Sequence, residues 1–417
     1  MYKNLPAARA RAAISHSARA RAAISHSARA RAALSLSVRA RAAALSVRAC
    51  AVACLVLAAS SQSALAQTAL AQPASASESA SESAPLQAAW VYMSVVPPAG
   101  WTRQHDQARL QAERALGGRV QTSAVPDVPE NAADAERVLR DLARQGKRVI
   151  FTTSFGYMQP VMKVAAEFPG VKFECLTCLQ TAPNVAVANA RFYEGRYLAG
   201  IAAGRMSESG QIGYVAGFPI PEVLQGINAF AQGLRSVAPK ARVKVVWLNE
   251  WFNPPRERDA AMTLINQGAD VLAFHTGSTA VMAAAQERGK LAVAYHSDMR
   301  MAAPDAQLLA VTHQWGDYET RRLQAALDGT WQSQRLWGGV KDGMVSVGHF
   351  GPRVPEAVQK QVLARQADMA AGRLHPFAGP LRDNTGREVL PAGQTLTDQQ
   401  IMEMNWLTEG VQGTLPR

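Results

Sequence analysis

No acidic residue occurs in the first 66 positions of this 417-residue chain, although ten of its 44 Lys and Arg residues lie there. The formal charge of +12 is therefore a property of the leader, and the remainder carries 34 basic against 32 acidic residues. A body so nearly neutral has no basic footprint for a phosphate backbone, which excludes nucleic acid as a partner. Catalytic signatures are missing too: there is no Gly-x-Ser-x-Gly, no His-Glu-x-x-His and no Walker loop. His105-Asp106 and His296-x-Asp298 are the only acid–imidazole pairs of interest, and neither has a Ser or Cys partner nearby in sequence. No enzyme is expected. His275, His296 and His313 fall on separate expected strands without His-x-x-x-His spacing, so neither a metal nor a cofactor is expected.

Long apolar runs are also absent. The most apolar stretch of the leader, residues 49–59, is too short to span a bilayer. It follows decamers (residues 11–20 and 21–30 are identical, 31–40 a close variant) too short to build a self-supporting repeat fold. Basic flank, short apolar core and the small-x-small site Ala64-Leu65-Ala66 together describe a secretory signal over residues 1–66. Ala69-Leu70-Ala71 is the second candidate site. Cys50 and Cys54 fall before or inside the apolar core, so no lipid anchor is expected. Residues 67–87, rich in Ala, Ser, Glu, Gln and Pro, read as a disordered tether. The mature protein is expected in the periplasm.

Beyond the tether, short apolar runs alternate with amphipathic stretches. Strands are expected at 89–95, 119–125, 148–152, 172–176 and 184–189, with helices at 104–116, 132–145 and 159–168. A helix over 193–206, carrying Gly195, Gly200 and Gly204, suits a tightly packed junction. The rhythm then restarts with strands at 211–216, 242–249, 270–275, 291–295 and 308–312 and helices at 221–237, 255–267, 279–288 and 317–327. The pattern predicts an α/β protein with two doubly wound parallel-sheet lobes and a ligand cleft between them. The first lobe is expected over 88–203, joined by about 314–332. The second is expected over 204–313, joined by about 335–350, with 351–417 as an extension packed on the lobes.

Ligands of open parallel sheets sit beyond the carboxyl ends of the strands. That rule points to Trp101 and Thr102, to Phe155, and to the segments holding Phe218, Trp251, His275, His296-Ser297-Asp298 and Trp315. Aromatics with neutral hydrogen-bonders suit a flat, polar-edged ligand. Cys175-x-x-Cys178 reads as a structural disulfide, a pair of free thiols, or a redox or metal pair. No helix follows it to lower a thiol pKa, and export favours the oxidised pair.

Several motifs resemble the basic membrane protein family of ABC-transporter substrate-binding proteins. They include Gly100-Trp101-Thr102-x-Gln104-His105-Asp106, Phe155-Gly156-Tyr157-Met158 and the stretch from Tyr193 to Gly200. Pro219-Ile220-Pro221-Glu222-Val223, Gly226-Ile227-Asn228-Ala229-Phe230, Ser297-Asp298-Met299 and the ending from Met404 to Val411 fit as well. The resemblance implies a type I periplasmic-binding-protein fold, an ABC permease as partner, and a purine base or nucleoside as small-molecule ligand. It implies Trp101 as a stacking ring, Asp298 as the ligand-binding acid and Phe218 near the other ring face. Trp315 stands where nucleoside binders often have Lys, which favours a free base. With Thr102, Phe155, Glu222, Asn228 and Trp251, these form the expected ligand-binding set. Three departures stand out: no acid in Val96-Pro97-Pro98-Ala99, Gly277 in place of Asp, and the cysteine pair. A monomer is expected. The rival readings are a periplasmic sensor presenting ligand to a receptor, and a binding protein for another planar or polar solute. A repressor effector domain shares the fold, but no helix-turn-helix precedes the body.

Overall fold

The computed structural model describes residues 84–416. The signal sequence, its cleavage sites and the tether up to residue 83 lie outside the described residues. Leu86 and Gln87, expected in the tether, instead open the first strand and pair with Val120 and Gln121.

The first lobe is built from β1 (Leu86–Val91), α1 (Trp101–Leu116), β2 (Val120–Val125), α2 (Ala132–Arg144), β3 (Val149–Thr152), α3 (Met158–Glu167), β4 (Lys172–Leu176) and β5 (Val185–Ala190). Helix α4 (Phe192–Met206) then crosses to the second lobe. There the chain forms β6 (Gln211–Ala216), α5 (Pro221–Val237), β7 (Arg242–Trp247), α6 (Pro254–Asn266), β8 (Val271–His275), α7 (Ala280–Glu287), β9 (Leu291–His296) and β10 (Gln307–His313). Strands β8, β9 and β10 are buried at every position, as expected where helices cover both faces of a parallel sheet.

The chain returns twice more. Helix α8 (Gly316–Leu327) docks on the first lobe, where the buried Glu174 carboxylate accepts from Tyr318, Arg322 and Trp331, each at 2.6 Å. Strand β11 (Arg335–Gly338) pairs in parallel with β5, so this segment adds to the first sheet, whereas the sequence reading gave it to the second lobe. Strand β12 (Val345–Gly348) closes the second sheet antiparallel to β10. The strand orders are β2-β1-β3-β4-β5-β11 and β7-β6-β8-β9-β10-β12, the second sheet gaining a seventh strand beyond β7 from the C-terminal segment (Val411–Gln412). Both reverse direction of progression next to their first strand, and these two switch points face one another.

Helix α4 belongs with the second lobe rather than the first. A methyl group on Gly200 would lie 2.1 Å from the Phe230 carbonyl oxygen, and one on Gly233 would lie 1.9 Å from that of Tyr197. Only glycine lets α4 and α5 touch backbone to backbone. The C-terminal segment adds α9 (Glu356–Ala370), β13 (Leu381–Arg382), β14 (Glu388–Leu390), α10 (Asp398–Met402) and β15 (Val411–Gln412), the last pairing with β7. Asn228 on α5 anchors this segment, donating to the Trp406 carbonyl at 2.8 Å and accepting from the Thr408 N–H at 2.8 Å. Among the described residues no helix is long and apolar enough to cross a membrane.

Candidate functional site

The two sets of strand ends meet around a cavity with about 510 Å³ of empty space, counting solvent at its mouth. Segments just past β1 and β3 supply Met93, Ser94, Thr153, Ser154 and Phe155, and the first turn of α1 supplies Trp101 and Thr102. Across from them lie Ile220 and Glu222 at the start of α5, Trp251 and Phe252 after β7, His275 to Gly277 at the end of β8, and His296.

The lobes are in contact over this cavity. The Gly100 N–H donates to Ser297 Oγ at 2.9 Å, and the Gln104 side chain donates to the His313 carbonyl at 2.9 Å. Gly100 is irreplaceable on two grounds. Its φ of +102° favours glycine, and a Cβ there would lie 2.3 Å from the Gly277 carbonyl oxygen.

Four aromatic side chains, Trp101, Phe155, Trp251 and Phe252, form the apolar walls. The Trp101 indole N–H is committed to the Thr153 carbonyl at 2.7 Å, which fixes the ring. Trp251 passes over Gly217, where a Cβ would lie 2.7 Å from its ring, and Phe218 braces it edge-on with ring centroids 4.9 Å apart. Phe155 completes the wall on the first lobe.

The hydroxyl groups around the cavity are largely spent. Ser94 Oγ donates to the Val95 carbonyl at 2.9 Å and lies 2.8 Å from Thr102 Oγ1. Thr153 donates to the Val91 carbonyl, Ser154 to Glu130, Thr177 to the Leu176 carbonyl and Thr276 to Glu257. Three polar side chains, Glu222, His275 and His296, keep an unpartnered atom. Glu222 Oε2 accepts from Asn189 at 3.0 Å, while Oε1 lies 3.6 Å from His275 Nε2. His296, buried and with φ of +72°, has no hydrogen-bond partner at Nδ1.

The electrostatics follow from burial. Desolvation pushes the Glu222 carboxyl up to about 7, opposed only by the Asn189 hydrogen bond. Burial, with the Arg196 charge adding to it, holds His275 well below the usual imidazole range. Burial holds His296 low as well, with His313, His275 and Arg196 adding to it, and holds His313 low, with Arg196 first among the charges adding to it. All three rings are therefore neutral at pH 7, and Glu222 faces no counter-charge across the cavity. Arg196, fully buried, lies 3.2 Å from the Tyr295 ring centroid and donates to the Phe274 carbonyl. Among the described residues no group of three or more His, Cys, Asp or Glu side chains is placed to hold a metal ion.

Of the nine expected ligand-binding residues, Trp101, Thr102, Phe155, Glu222 and Trp251 line this cavity. Four do not. Phe218 stands behind Trp251, and Asn228 is consumed by the C-terminal segment. Trp315 is buried behind Trp101 and His105, at centroid distances of 6.0 and 5.0 Å. Asp298 forms a two-pronged ion pair with Arg300 and accepts from Gln307 at 2.9 Å. Burial alone would raise its carboxyl, but these hydrogen bonds outweigh it and hold the group at about 2. Cys175 and Cys178 form a disulfide, with Thr177 between them at φ of +64°. Met93, Ser94, Thr177, Ile220 and Phe252 also line the wall and were not expected there. For Met93 and Ser94 the signal was present, because they follow β1 once that strand ends at Val91.

Comparison with known proteins extends the geometry. Residues 86–372 match the family model described as ABC transporter substrate-binding protein, PnrA-like. A purine-binding protein of Brucella abortus (strain 2308) is 47% identical over 332 residues, covering 80% of this chain and 94% of its own length. A putative ABC transporter glucose-binding protein of Haloferax volcanii is 37% identical over 336 residues, covering 81% and 83% respectively. An ABC-transporter solute-binding protein from Conexibacter woesei has the same fold, with a TM-score of 0.56 at 20% identity over 70% of this chain and 98% of its own.

Proposed function

Since the chain belongs to the PnrA-like family of ABC-transporter substrate-binding proteins, we propose that it captures a purine base in the closed interlobe cavity and hands it, unaltered, to a membrane permease. The exported, periplasmic setting is part of the same reading. One observation carries the ligand class: the cavity is lined by aromatic side chains, while nearly every wall hydroxyl is already committed within the protein. A planar heterocycle with one polar edge needs few partners, and Glu222 with His296 provides them. The acid reading the ring edge is then Glu222 and not Asp298, whose carboxylate Arg300 occupies.

A carboxyl near neutrality suits this task. Protonated, it donates to a ring nitrogen and accepts from the neighbouring exocyclic N–H, which is the pattern adenine presents. A micromolar Kd requires about −8 kcal/mol. Ring stacking adds about 1 kcal/mol per pair beyond area burial, and each hydrogen bond of the neutral carboxyl about 0.5–1.5 kcal/mol, so burial of the ring must supply most of the rest. The Haloferax relative's name supports a second reading, a sugar ligand, since aromatic walls also receive pyranose faces. Calorimetry with adenine, hypoxanthine, guanine, their nucleosides and glucose separates the two. Binding of adenine or hypoxanthine with no response to glucose is expected, and binding of glucose alone would overturn the purine reading.

A further inference from the structure

A second cavity adjoins the first and shares Phe155, Thr177, Ile220 and Glu222 with it. It holds about 540 Å³ of empty space, solvent at its mouth included. Its walls are the side chains of Leu179, Val187, Leu336, Trp337 and Met402, together with the Cys175–Cys178 disulfide at Cys178. Apart from Arg335, the polar side chains among its walls are already hydrogen-bonded within the protein. Asn189 donates to Glu222 and accepts from the Ala190 N–H, Gln225 donates to the Ile401 carbonyl, and the Trp337 indole donates to the Ala190 carbonyl. Arg335 is exposed. Such a compartment offers a sugar almost nothing to bond, whereas an apolar group entering it leaves water without stranding a polar atom.

We propose that this second cavity receives an apolar substituent on the purine's exocyclic nitrogen, so that the protein binds N6-alkylated or N6-benzylated adenines. Glu222 is what joins the two compartments. It lines both, so the ring edge it bonds is the edge that faces the second cavity. A singly substituted amino group keeps one N–H for Glu222 while its other substituent continues past Ile220 toward Leu336 and Met402. This inference rests on the purine reading.

The test is calorimetry of the full mature protein with adenine, N6-isopentenyladenine and N6-benzyladenine, repeated with Leu179→Trp and Met402→Asp. Leu179 is partly exposed at the cavity rim and Met402 lies on a short helix, so both variants are expected to fold. The expected result is that both substituted purines bind at least tenfold tighter than adenine, and that each substitution removes this advantage while leaving adenine within threefold. Adenine binding accompanied by equal or weaker binding of the substituted purines would overturn this inference alone. Failure of adenine and of both substituted purines to bind would overturn the purine reading and this inference with it.

Discussion

Glu222 offers a test that needs no ligand. Its carboxyl is pushed from the ordinary 4.5 up to about 7 by burial. A carboxyl raised in the folded state holds its proton more tightly there than in the unfolded chain. Below about pH 4.5 both states are protonated and burial costs nothing through this group. As pH rises toward 7 the unfolded chain ionises while the folded one resists, and above 7 the folded state bears the full cost of a buried charge. A shift of about 2.5 pKa units corresponds to about 3 kcal/mol. Glu222→Gln keeps the shape, and its amide oxygen can still accept from Asn189, but it removes the ionisation. The substitution should therefore stabilise the ligand-free protein at pH 8 by about 2.5 kcal/mol more than it does at pH 5, where the unfolded carboxyl is already mostly ionised. Urea denaturation of both proteins at the two pH values measures this difference. A stability difference that is the same at pH 5 and pH 8 would refute the assignment of Glu222 as a buried carboxyl without a counter-charge.

Adenine affinity should fall severalfold to tenfold between pH 6 and pH 8.5, as the neutral carboxyl is lost, and Glu222→Gln should flatten that dependence in calorimetry. Glu222→Ala should weaken adenine tenfold or more, whereas Asp298→Ala should change it less than threefold; the reverse order would restore Asp298 as the ligand acid. Trp101→Ala should weaken all purine bases by a similar factor of about five to ten, because stacking is indifferent to groups on the ring edge. Gly100→Ala, which drives a methyl group into the Gly277 carbonyl, should favour the open form: small-angle scattering should show a larger radius of gyration with saturating adenine than wild type, and an unchanged radius would contradict the closed geometry. Thiol labelling of the denatured, unreduced mature protein should find no free thiol at Cys175 or Cys178.

Much of the fold was legible because the code behind it is local. Strands β8 to β10 read as unbroken apolar runs, and glycine or proline marks many of the helix ends. What escaped depended on partners distant in sequence. The first strand was expected at 89–95 from its apolar residues, yet pairing with β2 starts it at Leu86 and leaves Val95 and Val96 exposed. Gly195, Gly200 and Gly204 announced a close approach, but only the fold reveals that α5 is what approaches Gly200 and Gly204. The assignment of 335–338 failed for the same reason, since four residues of strand pattern do not say which sheet edge is free to accept them.

The site divides along the same line. The rule that ligands gather beyond strand ends pointed to loops that do line the cavity, because sheet direction and switch points follow from the order of elements. It could not say which side chain in each loop faces inward. Trp101 and Trp315 both follow strands in the sequence, yet Trp315 immediately precedes α8 and is packed behind Trp101. Asp298 and Glu222 pose the same problem for the acid. A carboxylate two residues from an arginine is free to close a local ion pair, and Asp298 does so with Arg300. Glu222 sits in the first turn of α5 with no cation in reach, where Asn189 satisfies one oxygen and leaves the other toward the cavity. The useful sequence signal for a ligand-reading acid in such a cleft is thus less its place after a strand than the lack of a basic neighbour able to quench it. By that criterion the segment Pro219-Ile220-Pro221-Glu222-Val223 already outranked Asp298-Met299-Arg300 in the sequence.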